Sequence, residues 1–278
     1  MKKTSLYKRL YNALKMELKE HKSSFIVYFT LRALVIILGV ICLIRGRYES
    51  LFFCLLTLIL LVLPSLFQLT FRVEMPTTLE IILLLFIFAA EILGEIGDFY
   101  YAFPYWDTVL HTLNGFICAG IGLSLADLLN KNEKMKFELS PVFTALVGFC
   151  FSMTIGVLWE FFEYFMDMTF NMNMLKDTII TEIHSIPIDQ LGNLKSITNI
   201  QTTIINGELI NISGYLDIGL IDTLNDLIVN FIGAITFSVF GYFYTKNHGE
   251  DWVAKQFILR RKDKNADYLT QPMEKEKL

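Results

Sequence analysis

Cysteine is scarce in this chain of 278 residues, and the few present do not pair by spacing. Cys42, Cys54, Cys118 and Cys150 fall in four separate apolar stretches with no C-x-x-C among them. Neither a disulfide framework nor a zinc ribbon is therefore expected, and each thiol is read as a small packing group. The chain also has no Walker A loop, G-x-S-x-G elbow, H-E-x-x-H helix or G-x-G-x-x-G turn. A nucleotide-dependent enzyme, a serine hydrolase and an ordinary zinc protease are disfavoured. A cleavable leader is not expected either: the apolar block Phe25–Ile44 is too long for the core of a signal peptide, and no small-residue cleavage site follows it.

Charge is thin as well, at 19% of residues against 54% hydrophobic. That balance is too apolar for an ordinary soluble domain. The apolar residues gather into six blocks: Phe25–Ile44, Leu51–Leu69, Leu79–Ile96, Trp106–Leu129, Pro141–Phe165 and Gly219–Tyr244. Each is long enough, at about 1.5 Å per residue, to cross a hydrocarbon core of about 30 Å. The expected fold class is all-α: a polytopic membrane helix bundle of about six transmembrane helices. Pro64 predicts a kink in the second span, and Pro141 suits the first turn of the fifth. Arg32, inside the first span, is expected to meet another helix or to snorkel.

Three regions follow. Residues 1–24 read as a basic amphipathic segment beside anionic lipid, 25–245 as the transmembrane domain, and 246–278 as a charged, partly disordered tail. The long connection 168–216 is the only substantial stretch outside the bilayer. Within it Gln201–Ile212 reads as a β-hairpin around an Asn206-Gly207 type I′ turn.

Lysine and arginine set the orientation. Lys2, Lys3, Lys8, Arg9, Lys15, Lys19 and Lys22 precede the first span; Lys131, Lys134 and Lys136 follow the fourth; and the tail is rich in both residues. The long loop has only Lys176 and Lys195. Both termini are expected in the cytoplasm and the loop outside. Because the basic residues follow this pattern, nucleic-acid binding is not expected.

Within that topology the acids gather at one depth. The third span carries Glu91 and Glu95, with Asp98 just beyond; the fourth opens with Asp107 and His111. The fifth ends with Glu160, Glu163 and Asp167, and the sixth opens with Asp222, Asp226 and Asn230. Spacings of three or four residues put each set on one helical face. Two spans run outward and two inward, so all four sets meet near the outer leaflet. Ionisable groups in apolar helices are costly and face cavities or partners. So many carboxylates must share protons or a cation. Oxygen donors with one imidazole suit Mg²⁺, Mn²⁺ or Zn²⁺. The candidate metal ligands are His111, Glu160, Glu163, Asp222 and Asp226, with Glu160, Glu163 and His111 as candidate catalytic groups. Glu95, Asp98, Asp107, Asp167 and Asn230 are expected to support them. The structural alternatives stand beside this reading: Asp107 and Asp222 as helix caps, Glu160 and Glu163 reaching interfacial water, and His111 as a packed, hydrogen-bonded residue. The aromatic run Phe99 to Trp106 reads as an interfacial belt, and Met166, Met168, Met172 and Met174 as packing.

Three motifs in order resemble the YjdF-type bacterial membrane proteins. They are Gly97-Asp98-Phe99-Tyr100 with Trp106-Asp107-Thr108-Val109-Leu110-His111 and Gly115; Trp159-Glu160-Phe161-Phe162-Glu163 with Asp167; and Gly214-Tyr215-Leu216-Asp217 through Asp226 to Asn230 and Gly233. The resemblance covers residues 80–245 and implies a bacterial cytoplasmic membrane protein. A weaker similarity links Asp107/His111, Glu160 and Asp226/Asn230/Gly233 to the VanZ-like proteins, with Glu163 where their glutamine stands. It implies a role in the cell envelope. Three functions are carried forward. The first is a metal-dependent enzyme acting on an envelope lipid, a lipid-linked group or a small polar substrate. The second is a cation- or proton-coupled transporter, and the third a noncatalytic membrane scaffold.

Overall fold

The computed structural model describes residues 22–130, 139–247, 249 and 252–261. The expected basic N-terminal segment therefore lies almost wholly outside the described residues. The chain divides into two compact units: Met1–Ile155 with Val229–Leu278, and Gly156–Ile228.

The first unit begins with α1 (Lys22–Ile44), followed by α2 (Tyr48–Leu60) and α3 (Leu63–Phe71). The break between α2 and α3 has the expected cause. Pro64 is in the opening turn of α3, where a missing N–H costs nothing but the preceding helix cannot continue. The short strand β1 (Val73–Glu74) leads into α4 (Thr77–Phe88), which passes directly into a π-helical stretch, Ala89–Ile96. The four-residue helix α5 (Phe99–Ala102) precedes α6 (Trp106–Asn130), and α7 runs from Pro141 to Phe170. After the long loop come α8 (Leu220–Lys246), α9 (Trp252–Lys255) and β8 (Arg260–Arg261).

Among the described residues, five segments are long and apolar enough to cross a membrane: Ser23–Ile44, Tyr48–Phe71, Trp106–Asn130, Pro141–Phe170 and Leu220–Lys246. They match five of the six expected spans. The third expected span is present as two kinds of helix rather than one, because its second half has rewound into π geometry. Within this stretch Gly94 leaves room for α5 to fold back: a Cβ there would strike the Tyr100 ring. Arg32 finds its partner on its own helix. Its Nη1 donates to Tyr28 Oη at 2.7 Å, one turn nearer the start of α1.

Helix α6 is the centre of the packing. In its apolar window 56% is buried, against 22–39% in the other four candidate spans. Its small residues are the reason, since lipid tails offer no hydrophobic drive and close van der Waals approach must hold the helices. Gly122 lies under the Phe151 Cβ, and Gly148 of α7 lies over the Ala119 carbonyl, 2.7 Å from where its own Cβ would be. Phe237 is fully buried and packs edge-on to Phe116, with ring centroids 4.8 Å apart. Side chains pointing away from this core are large and apolar, among them Ile26, Ile44, Ile59 and Val142, as a lipid solvent requires.

Of the expected tail, residues 262–278 lie outside the described residues. Residues 252–261 are ordered into the core: Ala254, Ile258 and Leu259 are buried, and Phe257 stacks edge-on against Phe116 at 5.0 Å. The Leu259 N–H donates to Ser124 Oγ, and β8 pairs antiparallel with β1 (Val73↔Arg261, Glu74↔Arg260). Three consecutive apolar residues between charged flanks are too short a block to read as a core element, yet here they complete one.

The second unit contains the end of α7, the long loop and the start of α8. Three antiparallel ladders nest in it. The outer pair is β2 (Ile179–Ile180) with β7 (Tyr215–Leu216), enclosing β3 (Ile183–Ser185) with β4 (Lys195–Ile197) and β5 (Thr203–Ile205) with β6 (Glu208–Ile210). The last pair is the expected hairpin. Asn206 and Gly207 both have positive φ, 53° and 87°, as a type I′ turn demands.

Candidate functional site

In the first unit, the opening turns of α6 bring Asp107 and His111 together as an i, i+4 pair, with His111 Nε2 3.4 Å from Asp107 Oδ1. Both side chains are mostly shielded, at 27% and 12% exposure. One turn further along α6, Asn114 Nδ2 donates to Asn230 Oδ1 of α8 at 3.0 Å. Asn230 is buried, and its own amide reaches Met153 Sδ of α7 at 3.6 Å. Cys118 Sγ donates to Asn114 Oδ1, and Ser152 Oγ to the Gly115 carbonyl at 2.8 Å. A polar seam thus descends α6 from Asp107 to Cys118. It passes where the backbones of α6 and α8 cross at Gly115 and Gly233, each glycine lying against the other helix's main chain.

Below Cys118 the seam stops. Ala119 and Leu123 are fully buried beside Phe237. The next polar group on that helix, Ser124, donates to its own turn and accepts from Leu259. Six steps of about 1.5 Å separate Cys118 from Ser124, roughly 9 Å of apolar packing.

The other expected residues of this unit are placed differently. Glu91 is buried and Glu95 half-buried, but both sit on the π-helical stretch, where the i, i+4 relation no longer defines one face. Asp98 is exposed in a left-handed conformation, and its carbonyl accepts from Tyr101 and Ala102 to start α5.

In the second unit, Glu160, Glu163 and Asp226 are all buried. Trp159 Nε1 donates to Glu163 Oε1 at 3.0 Å, which fixes that carboxylate along α7. Asp167 and Asp222 have a role the spacing did not foretell: they anchor the roots of the loop. Asp167 accepts the Met174 N–H at 2.7 Å and the Leu175 N–H at 2.9 Å, one on each oxygen. Asp222 Oδ2 accepts the Lys176 N–H at 2.7 Å, and Asp217 Oδ2 caps the start of α8 through the Ile221 N–H.

Asn114 escaped the sequence reading although its position, three residues past His111, was a usable signal. A second polar group had no such signal. Gln68 Oε1 accepts the Met75 N–H at 2.8 Å, and its Nε2 donates to the buried Glu80 at 3.3 Å. Asp127, near the end of α6, is buried too. The acids are therefore not confined to one end of the spans.

These features define a multi-pass helical membrane protein with a carboxylate–imidazole group at the head of its most buried helix. The chain belongs to the family of predicted membrane proteins DUF2238, whose model matches residues 26–247. Comparisons with curated proteins and with solved structures gave no match.

Proposed function

We propose that this protein is a membrane enzyme of the YjdF type in which Asp107 and His111 hold a divalent cation. Its substrate in this reading is the polar head of an envelope lipid or a lipid-linked group. A carboxylate beside an imidazole supplies donors that could hold such an ion. The observation that carries the reading is the Asp107–His111 contact at 3.4 Å. Asp107 beside the imidazole orients the ring, as carboxylates do for histidine ligands. A bound ion would supply Lewis-acid activation of water or a phosphoryl oxygen. Glu160 and Glu163 are the acids available to take or give a proton, Glu163 being held in place by Trp159. Asp222, tied to the Lys176 N–H, is better suited to positioning the loop than to ligation.

The blind end of the polar seam at Cys118 favours this reading over transport. A coupled transporter needs polar groups that continue between its two faces, and the packing from Ala119 to Leu123 interrupts them. The test is metal content of the detergent-purified protein, measured by elemental mass spectrometry beside His111→Gln and Asp107→Asn. About one divalent ion per chain, lost in both variants while the melting temperature is kept, is the expected result. No ion after supplementation with Mg²⁺, Mn²⁺ and Zn²⁺ would overturn the reading and bring proton-coupled transport forward.

A further inference from the structure

A groove of about 480 Å³ lies between the Pro141 half of α7 and the Lys246 half of α8. Val142, Ala145, Phe149, Ile235, Val239 and Tyr242 line it, so its wall is almost wholly apolar. The volume falls within the range of small-ligand sites. Val142 and Val239 are more than half exposed, so the groove is open to the surrounding hydrocarbon.

We propose that this groove binds one anionic membrane phospholipid, with an acyl chain along the groove and the phosphate at Lys246. Charge at the mouth argues for this occupant. Lys246 is in the last turn of α8, and its Nζ lies 5.6 Å from the centroid of the Tyr242 ring, which itself lines the groove. The ammonium is thereby held at the groove's end. Across the groove α7 begins, with Ser140 Oγ accepting the Phe143 N–H and first-turn Val142 in the wall. First-turn Val142 of this 30-residue helix and Tyr242, over which the ammonium sits, both line the groove, so the helix's positive end and the ammonium border it. That pairing suits a phosphate above an apolar chain. Along α8 the lining extends from Ile235 to Phe243, roughly 12 Å at about 1.5 Å per residue, enough to seat much of one chain. A second copy of the protein fits less well, because a two-fold contact through this face would bring a second Lys246 to the same mouth.

The test is native mass spectrometry of the full-length protein titrated with phosphatidylglycerol or phosphatidylcholine. One retained lipid is expected, with phosphatidylglycerol held about five-fold more tightly. Lys246→Gln should remove that preference and keep the adduct. Val239→Trp, which fills the groove from an exposed position, should lose both adducts while the melting temperature stays within about 2 °C of the parent's. The proposal is overturned by a Val239→Trp variant that retains phosphatidylglycerol like the parent, or by a Lys246→Gln variant that keeps the preference. A parent dimer that Val239→Trp splits into monomers would overturn it too, and assign the groove to a second copy.

Discussion

Placing alanine at Gly115 tests whether α6 and α8 are held by backbone contact. A Cβ on Gly115 would strike the Asn230 carbonyl oxygen and come within 2.8 Å of the Asn230 carbonyl carbon and 3.0 Å of the Ala234 nitrogen. Ordinary contact begins at 3.4 Å, and main-chain atoms cannot swing aside as a side chain does. The helices must part by about half an ångström or more, an overpacking cost of about 1–3 kcal/mol. Parting also lengthens the Asn114–Asn230 bond, now 3.0 Å, and interhelical bonds in membranes contribute about 0.6–1.7 kcal/mol. The opposing term is helix propensity, which favours alanine by at most about 1 kcal/mol. The net loss is about 1–4 kcal/mol, or roughly 3–10 °C in melting temperature for a chain of this size. Gly39→Ala is the control, because its Cβ would sit 3.4 Å from Cys54 Cβ in ordinary contact and should leave stability unchanged or slightly raised. Thermal unfolding in detergent, followed by circular dichroism, reads both. If Gly115→Ala melts with the parent or with the control, close crossing does not hold these helices. Gly233→Ala should behave like Gly115→Ala, and the two together should cost less than their sum, since the first substitution already separates the helices.

Two further outcomes are expected. Asp167→Ala removes both acceptors from the Met174 and Leu175 N–H groups, each a charge-assisted bond of about 1.5–3 kcal/mol. Their amide hydrogen exchange should quicken by at least about tenfold, and unchanged exchange would show that the loop root is held by other contacts. Leu259→Ala opens a cavity where the side chain is 2% exposed and should cost about 2–5 kcal/mol in the same melting assay. A melting temperature equal to the parent's would detach residues 252–261 from the core.

Much of the architecture was legible because it is written in contiguous residues. Apolar runs give the spans, Pro64 gives the α2–α3 break, and Asn206-Gly207 gives the hairpin, each from neighbours in the chain. The Asp107–His111 pair was legible for the same reason, being one helical turn. What escaped depends on partners far away in the chain or on a change of hydrogen-bond step. Nothing local to Glu91 and Glu95 announces that the helix rewinds from i→i+4 to i→i+5 bonding. Nothing near Asp222 in the sequence announces that it accepts the Lys176 N–H, 46 residues earlier. Asn114 was passed over because an uncharged amide does not stand out among acids, although its bond to Asn230 sets the helix register.

The docking of residues 252–261 bears on how the protein is made. Phe257 and Leu259 reach residues of α4, α6 and α8 that have all been synthesised before them, and β8 closes on a strand that left the ribosome nearly two hundred residues earlier. The spans can be inserted one by one as they emerge, but the packing around Phe116 and Phe237 stays incomplete until this last segment arrives. A nascent chain stalled just after α8 would hold inserted helices with an unfinished core. Quality-control proteases that recognise loosely packed spans would then be able to tell an interrupted chain from a finished one.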